Sequence, residues 1–236
     1  MIKETKCSIW NKFDVVFQAN PDVNIIVGIN GSGKTTMLNN LYHDLSKTKD
    51  KTTVVYIPSI DNIAMRDKRK NTNSLGQVLD YFIYDMKTGP SLMNYRMSML
   101  DAEKTQKAGL KKHISRFIDI VNKYFAVSRK KIELDSNKLW VVNGEERLST
   151  DLLSSGEKQL LLILLRVFLM ENKEAYVLID EPENSLDIEW QYELLNDLVE
   201  LNPNAQFFIT THSPGIFGDG WGDKVFYMEN ITKIKE

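Results

Sequence analysis

The chain has 236 residues, 42% hydrophobic and 26% charged, with a net charge of −2. That is enough for one large α/β domain or two small ones, and it excludes a global basic field drawing the protein to nucleic acid or membrane. A single cysteine, Cys7, excludes an internal disulfide, and with no ligand cluster around it a structural place is expected. In chain order, residues 5–18 alternate as a hairpin or two short strands, and Val23–Val27 reads as a buried strand. A glycine turn follows over 28–33, then a helix over about 34–45. Thr52–Ile57 reads as a strand stopped by Pro58. From about 60 to 124 the pattern is polar, Met-rich and helical, broken at Gly89-Pro90, with Ile114, Phe117, Ile118 and Val121 at helical spacing. Lys131–Leu134 and Leu139–Val142 suggest a hairpin, and 156–170 a helix. Strand, helix and strand follow at 175–180, 187–200 and 206–210, with a closing strand over Lys224–Met228.

Strands alternating with helices at both ends argue for an α/β fold with a mostly parallel sheet. The expected division is a nucleotide-binding core, 1–59 with 131–236, and an inserted helical lobe, 60–130. The longest apolar run, Leu160–Met170, contains Arg166 and falls well short of the roughly 20 residues that span a bilayer. Met1–Trp10 lacks the apolar stretch of a signal peptide. A cytoplasmic protein without membrane insertion is therefore expected.

Gly28-Ile29-Asn30-Gly31-Ser32-Gly33-Lys34-Thr35 fits the spacing G-x-x-x-x-G-K-[ST] between a strand and a helix. Such a loop turns backbone N–H groups inward around phosphate oxygens, and the helix N-terminus adds further donors. Lys34 reaches the β- and γ-phosphates, the Thr35 hydroxyl is a Mg²⁺ ligand, and Thr36 stands near the α-phosphate. A chance glycine turn is the bland alternative, and strand, loop and helix together argue against it. Tyr176–Glu181 is an apolar strand ending in two carboxylates. Asp180 is suited to hold Mg²⁺ through its water shell, and Glu181 to polarise an attacking water as a general base. Alone, such a pair reads equally as the cap of a surface turn; with the phosphate loop, ATP and Mg²⁺ chemistry is the better reading.

Three further segments, in order, carry a family resemblance. Leu153-Ser154-Ser155-Gly156-Glu157 resembles the signature of ABC ATPases. Ser185-Leu186-Asp187 resembles their D-loop, and Thr211-His212-Ser213-Pro214 their H-loop. Ser154 with Glu157 is also an ordinary capping box, and both readings hold at once. The resemblance covers most of the chain outside about 60–130 and implies a P-loop NTPase of the ABC ATPase head type. It implies a homodimer formed with ATP, in which Ser154 and Gly156 of one copy meet the γ-phosphate held by the other. His212 would contact that phosphate from the first copy, and Asp187 would link the two sites. LSSGEKQLLLILL, DEPENSLD and THSP most resemble short stand-alone members of the SMC, RecF and OLD-nuclease branch. That resemblance implies an ATPase acting on a separately encoded effector or on DNA, in bacterial defence or repair. The ATP-binding subunit of a membrane transporter is the alternative.

Two features depart from the pattern. Pro58-Ser59 stands where a Q-loop glutamine is expected, with Gln77 further on. Trp10 and Phe13 are candidates to stack on adenine, weighed against a place in the core. The insertion is too short for a coiled-coil arm, and the sequence ends at Glu236 with no Toprim segment, so no attached nuclease is expected. Arg66, Lys68, Arg69 and Lys70, then Lys104, Lys107, Lys111 and Lys112, then Arg129, Lys130 and Lys131, cluster as a DNA-phosphate surface or, the favoured reading, a solvated face.

Overall fold

The computed structural model describes residues 1–48, 52–61, 74–135, 138–218 and 220–235. Arg66, Lys68, Arg69 and Lys70 lie outside them. The chain divides into two compact units, residues 1–59, 172–199 and 203–236 in the first, 60–171 and 200–202 in the second. The hairpin and signature helix, read from sequence with the nucleotide-binding core, thus fall in the second unit.

The first unit opens with an antiparallel hairpin, β1 (Glu4–Ile9) and β2 (Phe13–Gln18), whose turn carries Trp10 and Asn11 at positive φ. The strand β3 (Val23–Val27) leads to α1 (Lys34–Lys47), and β4 (Thr53–Ile57) follows. After the second unit come β8 (Ala175–Asp180), α6 (Ile188–Leu201), β9 (Ala205–Thr211), the short β10 (Val225–Tyr227), α7 (Met228–Ile231) and β11 (Thr232–Ile234). The sheet order is β10–β3–β9–β8–β4 and every pairing is parallel. β11 joins β2 as third strand of the hairpin sheet. The expected closing strand thus shortens to three residues before a helical turn.

The reason α1 docks here is its apolar stripe. Met37, Leu38, Leu41 and Leu45 recur at helical spacing and share a core cluster with Cys7, Ile9, Val15 and Phe17 of the hairpin. Ile26, Leu178 and Phe208 enter the same cluster from the parallel sheet. Every residue of β8 and β9 is buried, as expected of parallel strands covered on both faces.

In the second unit, α2 (Leu75–Tyr84), α3 (Leu92–Asp101) and the 22-residue α4 (Lys104–Phe125) precede a meander of β5 (Lys130–Asp135), β6 (Lys138–Asn143) and β7 (Glu146–Leu148). The helix α5 (Ser155–Phe168) follows and packs against α2 and α4. α5 is apolar nearly all round, so burial is its stable state. At its C-terminal end the Phe168 ring stacks with Phe117 and with His113, both at 4.7 Å between centroids. His113 Nε2 also lies 3.0 Å from the Phe168 carbonyl oxygen. The break at Gly89-Pro90 is real. There the Asp85 carboxylate accepts from the Lys87 and Thr88 N–H groups, and Ser91 caps α3. Gln77 closes a capping box with Ser74. No described helix is long and apolar enough to cross a membrane.

Cys7 offers a direct check on the first unit. Burial pushes its thiol up to about 12, with smaller contributions from Asp44 and Asp14. Because the thiolate is the reactive form, native protein at mildly alkaline pH should resist thiol reagents and label fully only in denaturant. Rapid labelling of folded protein would contradict this packing.

Candidate nucleotide site

Three adjacent strands of the first unit end side by side, and each hands one of the segments singled out in the sequence to the same edge. The register sets Val27 opposite Thr211 and Asp180 opposite Thr210. The phosphate loop leaves β3, the Asp180-Glu181 pair leaves β8 and His212 leaves β9. Crevices at the carboxyl ends of parallel strands are the usual ligand sites of such sheets.

The loop itself needs its glycines. Gly31 and Gly33 have φ of 81° and 94°, the left-handed region. A Cβ on Gly28 would lie 2.6 Å from the Ser32 hydroxyl. Gly31 has nothing within 4 Å of such a position, and Asn30 is exposed, so one face of the loop is open. The Ser32 hydroxyl is buried and has no hydrogen-bond partner. Lys34 is buried and donates to the carbonyl oxygens of Gly28 at 2.8 Å and Ile29 at 3.3 Å. Thr36 is half-buried in the first turn of α1.

Asp180 is only 1% exposed. Thr35 Oγ1 donates to it at 3.0 Å, and Thr210 Oγ1 at 2.6 Å. Burial pushes the Asp180 carboxyl above its ordinary value and the nearby Glu181 charge adds to this, against the opposing pull of both hydroxyls and Lys34. A carboxylate paired with a threonine hydroxyl is a hard oxygen donor set, suited to Mg²⁺. Among the described residues no cluster of three His, Cys, Asp or Glu could hold a metal. Mg²⁺ would therefore take its remaining ligands from phosphate and water, the arrangement it favours.

Glu181 sits at φ 47°, an uncommon value for a residue with a side chain. Its N–H still donates to Thr210 O at 3.0 Å, so the turn begins immediately after the sheet pairing ends. Glu181 Oε1 lies 3.8 Å from both Lys34 Nζ and His212 Nδ1. A carboxylate, an ammonium group and an imidazole thus share one small volume. Asp187 is exposed, and its carbonyl starts α6 by accepting from Trp190 and Gln191.

Beside the loop is a cavity of about 550 Å³, lined by Ile9, Trp10, Phe13, Gly28, His212 and Tyr227 among others. Trp10 is 51% exposed and meets Phe13 edge to face, so the indole is no core residue.

The second unit carries the signature segment. Ser154 is exposed and caps α5: its hydroxyl accepts from the Glu157 N–H at 3.2 Å, and its own N–H donates to Glu157 at 2.8 Å. Gly156 is buried in the first turn. Glu157 also accepts from Lys130 Nζ at 2.9 Å and Ser128 Oγ at 2.9 Å. Burial alone would push its carboxyl up, yet the Ser154 N–H, Lys130 and Ser128 together hold it below its ordinary value. Of the residues singled out in the sequence, Gly28–Thr36, Asp180, Glu181 and His212 therefore converge in one unit. Ser154 and Gly156 belong to the other. Sequence reasoning missed Thr210, Glu183 and Gln191. Thr210 was findable as the residue preceding THSP on a strand; Glu183 was in view within DEPEN without an assignment.

The family model described as "AAA domain, putative AbiEii toxin, Type IV TA system" matches residues 95–218, more than half of the sequence, and the chain belongs to that family. Its fold is that of a P-loop ATPase of the ABC/SMC-head type. An SMC head solved with the C-terminal winged-helix domain of ScpA is similar over 95% of each chain, at 13% identity and a TM-score of 0.53. The SMC head domain from Thermotoga maritima is similar at 16% identity, over 87% of this chain and 86% of that one, with a TM-score of 0.45. A nucleotide-free ATP-binding cassette from an ABC transporter gives 17% identity, 91% and 79% coverage and a TM-score of 0.43.

The Lys130–Glu157 pair makes a stability test of the signature turn. Replacing Lys130 by Met strands a buried carboxylate. The expected loss is about 2–3 kcal/mol, below the ~3–5 of a fully buried pair, because Lys130 is 19% exposed. The folded carboxyl lies below its unfolded value near 4.5, so this stabilisation is complete above that value. It is lost as pH falls through the lower folded one. Urea unfolding across this range should show the mutational loss shrinking with acid; a pH-independent loss would contradict the assignment.

Proposed function

We propose that the first unit binds ATP with Mg²⁺ and hydrolyses it, and that ATP joins two copies head to tail. The observation that carries the reading is the convergence of Lys34, Thr35, Asp180, Glu181 and His212 on the open face of one phosphate loop. The unpartnered Ser32 hydroxyl and the open side of Gly31 fit a phosphate chain. Gly28, Asn30, Gly31, Ser32 and Gly33 would wrap the phosphates, with Thr36 beside the first of them. Lys34 would exchange its carbonyl partners for the β- and γ-phosphate oxygens. Thr35 and Asp180 would hold Mg²⁺, which supplies charge neutralisation at the transferring phosphoryl group. The cavity lies within the usual size range of a small-ligand pocket, and Trp10 would cover the adenine ring.

Glu181 would take a proton from the attacking water. The water oxygen bonds to the γ-phosphorus, the bond to the β-phosphate oxygen breaks, and ADP and phosphate leave. His212 would contact the γ-phosphate. On the family resemblance, the γ-phosphate would also meet Ser154 and Gly156 of a second copy, where the N-terminus of α5 favours negative charge. Loss of that phosphate would release the contact, the logic of a γ-phosphate switch. The output would pass to a separately encoded effector or to DNA in the cytoplasm. The DEPENSLD segment and the engagement of Gln77 in a capping box support this over a transporter subunit.

Glu181→Gln should bind ATP with near-normal affinity and lose hydrolysis by about 10²–10⁴-fold, the usual worth of a positioned base, whereas Lys34→Ala should weaken binding itself. Phosphate release and equilibrium binding on both variants check this; wild-type turnover in Glu181→Gln would remove the assignment. Trp10→Ala should weaken ATP binding about tenfold, since stacking a base is worth roughly 1–3 kcal/mol. Equal effects on ATP and on inorganic triphosphate would argue against base stacking. In sedimentation, Glu181→Gln with ATP and Mg²⁺ should run as a dimer and with ADP as a monomer. The same state under both conditions would sink the switch.

A further inference from the structure

Glu183 is a buried carboxylate outside the loop, the metal pair and the general base, and its side chain meets Thr211 and His212. Its Oε1 accepts from the Thr211 hydroxyl at 2.7 Å and from the His212 backbone N–H at 2.8 Å. The same oxygen lies 3.4 Å from His212 Nδ1. One atom therefore holds the main chain of His212 and faces its ring. Its other oxygen, Oε2, is buried with no hydrogen-bond partner. Leaving a buried acceptor oxygen unpaired is costly, so fold stability is a poor account of this side chain. The His212 ring is 45% exposed, its Nδ1 edge facing Glu183 and Glu181, and it lines the cavity with Gly28 and Ser32. An exposed ring gains little from packing, so its direction must come from its polar contacts.

We propose that Glu183 is a positioning residue that sets the place and tautomer of His212, keeping the ring proton on Nδ1 and leaving Nε2 to address the phosphate side of the cavity. This rests on the hydrolytic reading of the site. The nitrogen turned away from the two carboxylates is the one left for ligand chemistry, because the tautomer follows the polar partner of the other nitrogen. With a neutral ring, Nε2 would be an acceptor and so would align a protonated group or the attacking water. A protonated ring would instead donate to the γ-phosphate from the same atom. In both states the aim of the ring is set by Glu183.

The test combines kinetics with ring spectroscopy on the full chain. Glu183→Ala should lower kcat about 10–100-fold while leaving the ATP dissociation constant within about twofold, because a misaligned group costs the transition state. In a His212→Ala background the same change should alter kcat less than about twofold, since the two residues act as one unit. Glu183→Gln keeps an acceptor oxygen and should retain most of the activity. Only three histidines are present, so nitrogen-15 ring spectra can follow His212. Its neutral form should carry the proton on Nδ1 in wild type and in Glu183→Gln. An Nε2-protonated neutral ring in wild type would overturn the proposal even if Glu183→Ala fails to fold. So would additive losses in the double variant, or Glu183→Gln as slow as Glu183→Ala. If His212→Ala alone turns over normally, the hydrolytic reading of His212 fails along with the inference. If His212→Ala is slow but Glu183→Ala is normal, only the inference fails.

Discussion

The buried Asp180 carboxylate, gripped by the hydroxyls of Thr35 and Thr210, is the contact around which the site is built. It ties the first turn of α1 to the ends of β8 and β9, three segments far apart in sequence. A carboxylate at 1% exposure is costly unless its lone pairs are satisfied. Two hydroxyls supply that satisfaction, and the parallel register brings them there. Once Asp180 is placed, the chain turns sharply at Glu181 and the second carboxylate is delivered between Lys34 and His212.

Behind this contact stands a further clasp between the loops after β8 and β9. Glu183 holds Thr211 and His212. Gln191 accepts from the Ser213 hydroxyl at 2.6 Å and donates to the Leu186 carbonyl at 2.9 Å. Gly215 fits closely against Gln191 and Ile188: a Cβ there would approach the Ile188 Cδ1 to 2.6 Å and displace that side-chain tip. The segment carrying Asp187 and the segment carrying His212 are thereby held together. In the proposed switch a signal at one would be felt at the other without any change in the sheet.

Much of this was legible in the sequence, and for a physical reason. The phosphate loop and the strand-end carboxylates are local patterns, fixed by backbone geometry over a few residues. The apolar runs of β3, β8 and β9 announced buried parallel strands because both faces are covered. The clasp was not legible, since Thr210 reaches Asp180 and Glu183 reaches Thr211 only once the β8–β9 register is known. β7 has only three residues and no alternation to read. Trp10 looked like core material, yet the hairpin turn carries it out beside the loop. The unit boundary was also hidden. The meander after α4 alternates like any strand pair, and its packing against α4 is a tertiary fact.

The central claim is that the loop of one copy needs the signature segment of another, and mixing two inactive proteins tests it most directly. Lys34→Ala lacks a working phosphate loop but keeps its signature; Ser154→Arg keeps its loop but carries bulk and charge at the signature. Each should release little phosphate alone. Mixed, they should regain ATP hydrolysis, because one composite site in each mixed dimer is intact. A mixture no more active than its two components would contradict a site shared between copies.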